Sequence, residues 1–170
     1  MKAFDRLFEV AAWVAGVFLI GTLAMVLVSI VGRLLPVLAL PGADAYAGYS
    51  MAAAAFLALP ATLRRGEHIR VTLLLQRLPA PARRGVEVAV HALGLLLAGG
   101  LAWFSVRLVW QSHAFHDIST GLDATPLWIP QLGMAVGTVL FALAMAVQLA
   151  EHARGRAPHP DAGDEPARIE

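Results

Sequence analysis

The chain has 170 residues, 58% of them hydrophobic and 15% charged, with a formal net charge of +1 and no cysteine. Soluble domains carry about 25% charged and 45–50% apolar residues, so a water-soluble fold of this length cannot hide so much apolar side chain, and disorder is excluded for the same reason. The balanced charge argues against a nucleic-acid binder, and the missing thiols exclude disulfide scaffolds, thiol catalysis, thiolate zinc sites and iron–sulfur clusters.

Four uncharged stretches follow in chain order: Val10–Gly32, Ala45–Leu63, Val88–Val106 and Ala124–Ala150. A membrane-spanning helix needs about 20 apolar residues, and each stretch meets or approaches that length. None alternates as a barrel strand would, and a lone strand cannot satisfy its backbone in hydrocarbon. The sequence therefore predicts an all-α membrane protein with spans near 10–32, 45–63, 88–106 and 124–150. The first stretch is too long for a signal-peptide core and lacks a small-residue cleavage pattern, so it reads as a retained helix.

Lysine and arginine set the expected orientation. Lys2 and Arg6, the six arginines at 64, 65, 70, 77, 83 and 84, and Arg154, Arg156 and Arg168 fall on one side; only Arg33 and Arg107 fall on the other. The positive-inside rule then predicts both termini in the cytoplasm. Trp13 lies near the inner end of span one, and Tyr46, Tyr49, Trp103, Trp110 and Trp128 near the outer ends of the other spans, where such rings prefer the headgroup level.

The connections are short. Pro36, Pro41 and Gly42 mark an outer turn. Arg107 is placed to carry its guanidinium to the headgroups from a continuation of span three. Thr125-Pro126 reads as a helix cap followed by proline at the first position, and Pro130 as a bend one turn later. Gly155–Glu170, rich in Pro, Gly, Ala and charge, reads as a disordered cytoplasmic tail outside a membrane domain of residues 1–150.

The inner loop, Arg64 to Pro79, is basic and half aliphatic, which predicts a short interfacial helix from about Thr72 to Leu78. Pro79 ends it and Pro81 starts helix three. Its arginines either set topology and hold lipid phosphates, or Arg65, Gly66 and His68 form a turn that docks on a partner. Gly66 suits a left-handed helix cap.

The turn Arg65-Gly66-x-His68-Ile69-x-Val71 after span two, Arg33 near the outer end of span one, and Pro126 to Gln131 with Gly133 and Gly137 after it resemble one family. It is the small membrane subunit, the DctQ type, of tripartite ATP-independent periplasmic (TRAP) transporters. The resemblance covers roughly Phe4 to Ala150. It departs at Thr72, where the family often has an acidic residue, and before span two, where only Asp44 stands in place of paired acids. It implies a multi-pass inner-membrane subunit, not an enzyme, that braces a large subunit carrying an organic anion with sodium. A periplasmic binding protein and membrane lipids are the other implied partners; no cofactor, metal or nucleic acid is implied. Arg33, Arg65, Gly66, His68, Trp128, Gly133 and Gly137 are the candidate contacts with partner or lipid.

The residues agree with a passive role, because the four uncharged stretches hold no Asp, Glu, Lys or Arg at mid-membrane. His91 lies a few residues from the inner end of span three and reads as an interfacial histidine. The rival reading is a haem-binding electron-transfer anchor, which needs a second histidine at that depth, and no other stretch contains one. His113 and His116, with Asp117, stand at i, i+3 beyond span three and read as a solvated pair. The small-residue pairs Gly133/Gly137, Gly94/Ala98 and Gly48/Ala52 let helices approach closely, either within the chain or against a partner.

Overall fold

The computed structural model describes residues 2–65, 79–121 and 123–153. Among these, four long helices follow one another: α1 (Lys2–Leu34), α2 (Ala43–Arg64), α3 (Ala80–Ala114) and α4 (Trp128–Ala153). A single 3-10 turn, Pro36–Leu38, lies between the first two. All four are long and apolar enough to cross a membrane. The predicted interfacial helix, Gly66, His68 and the tail lie outside the described residues.

The first three helices overrun their uncharged stretches at both ends, most of all α3, which begins well before Val88 and continues past Arg107 to Ala114. Pro79, extended at φ −61° and ψ 148°, precedes its first turn, where a proline costs no intrahelical bond. The start of α4 departs from expectation. Thr125-Pro126 is not its cap: Pro126 pairs with Ile118 across an isolated bridge, and the helix begins at Trp128. Pro130 then falls in the first turn, among N–H positions that have no intrahelical acceptor.

The helices stand in a row rather than a closed bundle. α1 packs on α2, α2 on α4, and α4 on α3, so α1 and α3 form the two edges. Burial follows that order, with α2 the most covered and α1 the least. We call the end that holds the start of α1 and the end of α4 proximal, and the opposite end distal.

Small residues decide how closely the row packs. A Cβ on Gly133 would stand 2.7 Å from that of Ala53, and one on Gly137 would stand 2.5 Å from the Phe56 carbonyl carbon. Pro60 lies four residues after Phe56 in α2 and has no N–H to give that carbonyl. Gly137 thus lays its backbone against an acceptor that α2 itself leaves open. Gly94 of α3 similarly receives Met145 of α4. At the proximal end Phe8, 1% exposed, joins Leu63 and Ala144 in a core shared by α1, α2 and α4. In hydrocarbon such contacts hold helices by dispersion.

Candidate functional site

The polar side chains gather at the two ends of the row. At the proximal end Arg64, in the last turn of α2, is the hub. One guanidinium nitrogen donates to Glu151 Oε2 of α4 at 2.8 Å, and the other to Asp5 Oδ1 of α1, also at 2.8 Å. Arg64 and Glu151 are mostly buried, Asp5 half exposed. Gln148 Nε2 donates to the Leu63 carbonyl at 3.0 Å and so ties the last turn of α2 to α4.

Two histidines extend this junction to α3. His91 Nδ1 donates to the Glu87 carbonyl at 2.7 Å and His152 Nδ1 to the Gln148 carbonyl at 2.8 Å. A carbonyl only accepts, so Nδ1 carries the proton in both rings. The rings stack with centroids 4.1 Å apart and planes 32° from parallel. No other uncharged stretch holds a histidine at the depth of His91, but His152, just beyond the fourth stretch, meets it there. The pair does not fit haem. Bis-imidazole ligation aims each nitrogen at an iron between the rings, about 2 Å from each, and rings stacked face to face leave no width for it.

At the distal end Arg33 pairs with Asp44 at 3.2 Å, and the Ser29 hydroxyl donates to the same carboxylate. The segment after α3 folds back and latches onto α2. Ser119 N–H donates to the Thr125 carbonyl and Leu127 N–H to that of Asp117. Asp123 accepts from the Ser119 hydroxyl at 2.8 Å and from Tyr49 of α2 at 3.2 Å. Tyr46 and Thr125 share a further hydroxyl contact at 2.9 Å. The hydrogen bond from Ser119, with those at Thr125 adding to it, holds the Asp123 carboxyl below its ordinary range despite partial desolvation. Gly42 makes the latch possible: its φ of +82° favours glycine, and a Cβ there would meet Asp123 at 2.5 Å.

The expected contact residues therefore divide. Arg33 is engaged by Asp44. Trp128 lies half-buried with its ring edge-on to that of His113, 5.4 Å away. Gly133 and Gly137 pack inside the chain against α2, whereas Gly48 faces open space. Arg65 follows α2, exposed, its N–H bonded to the Ala61 carbonyl. Arg64, Asp5, Glu151 and Gln148 carry no motif in the sequence; that Arg64 and Glu151 border uncharged stretches is their one signal. Among the described residues no group of three His, Cys, Asp or Glu converges as a metal site would require.

Residues 22–155 match the family described as tripartite ATP-independent periplasmic transporters, DctQ component. A relative from Rhodobacter capsulatus, the C4-dicarboxylate TRAP transporter small permease protein DctQ, is 31% identical over 103 residues. That stretch is 59% of this chain and 44% of the relative, so the match spans less than half of the relative's length.

Proposed function

The chain belongs to the DctQ component family of tripartite ATP-independent periplasmic transporters, and from that premise we propose that it braces the large transport subunit during sodium-coupled uptake of an organic anion. It is a multi-pass protein of the bacterial inner membrane. The observation that carries the bracing role is the use made of its ionic groups. Asp5, Arg64 and Glu151 at one end, and Arg33, Asp44 and Asp123 at the other, join helices and loops to one another near the surfaces. A substrate or sodium site is expected near the midplane, at broken helices or ionisable residues. Carboxylates spent on helix contacts at the membrane surfaces suit a rigid support. The C4-dicarboxylate in the relative's name makes a carboxylate the leading substrate class, with selectivity residing in the other subunits.

The periplasmic binding protein and the large subunit are the proposed partners, and membrane lipid covers what they leave open. Both termini are placed in the cytoplasm by the arginine asymmetry. Single cysteines replacing Gly66 or Ala162 should label only from the cytoplasm, and one replacing Val37, 95% exposed, only from the periplasm. Labelling of Gly66→Cys from outside reverses the orientation.

The function itself is tested by reconstituting the large subunit and binding protein with and without this chain. Omission should abolish or sharply cut uptake. Arg33→Ala, His91→Ala and His113→Ala should alter maximal rate without changing substrate preference or sodium dependence. A change in selectivity from any of them puts this chain in the transport path and overturns the bracing role.

A further inference from the structure

Charge in the sequence ends the third span at Val106 and leaves Arg107 at the headgroups, but the helix does not stop there. α3 continues to Ala114, and two ring contacts fix its height against α4: His91 on His152 and His113 on Trp128. The 22 residues from His91 to His113 rise about 33 Å, close to the roughly 30 Å hydrocarbon core. Arg107 is six residues, about 9 Å, inside the His113 contact, and Trp103 is about 15 Å inside it. The other helices agree on the level. Arg33 and Asp44 pair at the distal end of α1 and α2, Tyr46 of α2 meets Thr125, and Trp128 follows Thr125 by three residues.

Arg107 also points away from its own chain. Ala98, Ala102, Ser105 and Ser112 are the buried positions of α3, which turns Trp103, Arg107 and Trp110 to the outer face of this edge helix. Trp103 is 68% and Trp110 75% exposed, and Arg107 is exposed between them. Among the described residues Arg107 has no ion pair. An indole N–H and a guanidinium can only donate, so this face offers donors that no acceptor among the described residues meets. An ionisable residue inside the membrane needs a partner. Gly100, one turn below Trp103, has open space where a Cβ would stand and gives a neighbouring backbone room to approach.

We propose that the α3 edge, centred on Arg107 between Trp103 and Trp110, is where a transmembrane helix of the large subunit docks, with a carboxylate of that helix against the Arg107 guanidinium. The inference rests on the function proposed above and says which edge of the row meets the partner. Charge complementarity points to the occupant: a helix that brings a carboxylate to the level of Arg107 and Trp103 matches this donor set.

The test co-expresses the full chain with the large subunit and measures co-purification from detergent-solubilised membranes. Arg107→Glu should cut co-purification at least tenfold, and Arg107→Lys should retain most of it. Benzoylphenylalanine in place of Trp103 should cross-link to the large subunit on illumination. A His91→Cys/His152→Cys pair added to each variant reports the fold through its own cross-link, so a loss from misfolding is distinguished from a loss of docking. If the wild-type chain itself fails to co-purify, the proposed function fails. If it co-purifies while Arg107→Glu has no effect and Trp103 captures only lipid, this edge faces the bilayer and the inference alone is overturned.

Discussion

His91 and His152 lie ring on ring at the proximal end, each with its Nδ1 tied to a carbonyl one turn back on its own helix. The contact locks α3 to α4 at one height, while α1 stands at the far edge of the row. In a chain without native cysteine, His91→Cys/His152→Cys should cross-link readily under oxidation or with a short bifunctional reagent. Val17→Cys/Leu97→Cys, on the two opposite edges, should not. Gel mobility reads both, and efficient cross-linking within one chain of the edge pair would replace the row with a closed bundle.

Arg64 and Arg65 are neighbours with opposite duties. Arg64→Ala strands a mostly buried Glu151 whose second oxygen, Oε1, already lacks a partner among the described residues. Removing one member of a buried pair costs about 3–5 kcal/mol, and the half-exposed Asp5 places this junction nearer 2–3. Arg65→Ala, on an exposed side chain, should stay within about 0.5 kcal/mol. Thermal unfolding in detergent should separate the two, and equal losses would remove the hub role of Arg64.

Gly137→Val should be among the most damaging changes in the chain, because the backbone of Phe56 and Leu57 has no room to yield. Gly16→Ala on α1, with open space around its added methyl, should be neutral or stabilising by up to about 1 kcal/mol. Yield of monodisperse protein and the unfolding midpoint check both. An unchanged midpoint for Gly137→Val would mean that α2 and α4 lie farther apart than described.

The distal latch should depend on acid. Asp123 has its carboxyl lowered by hydrogen bonds from Ser119 and Thr125, so its contribution is present above the ordinary carboxylate pKa and is lost as pH falls through the depressed one. Amide exchange at Ser119 and Leu127 should accelerate only below the usual aspartate range, and in Asp123→Ala at every pH. Protection that persists through strong acid in the wild type would show that the Ile118–Pro126 bridge holds the loop unaided.

Four helices, their order and their apolar character were legible because hydrocarbon admits so few alternatives. The ends were not. Charge marks where a span becomes costly, not where a helix stops, and α3 carries Arg107 onward because its N–H groups still need acceptors in that environment. Thr125-Pro126 has every local feature of a helix start, yet the pairing of Ile118 with Pro126 takes those residues first. The glycine spacing of α4 left open which neighbour it met. That answer depended on Pro60, on another helix, freeing the carbonyl that Gly137 covers.

The Arg64 junction also joins residues that are synthesised at different times. Asp5 and Arg64 belong to the hairpin of α1 and α2 and are translated before Glu151, which comes with α4. A guanidinium entering the membrane surface before its second carboxylate exists would otherwise wait unpaired, and Asp5 supplies an interim counter-ion. Arg64 thus has a carboxylate of its own hairpin while α4 is still being translated. The arrival of Glu151 turns a pair into a triad and closes the proximal end only once α4 is in place.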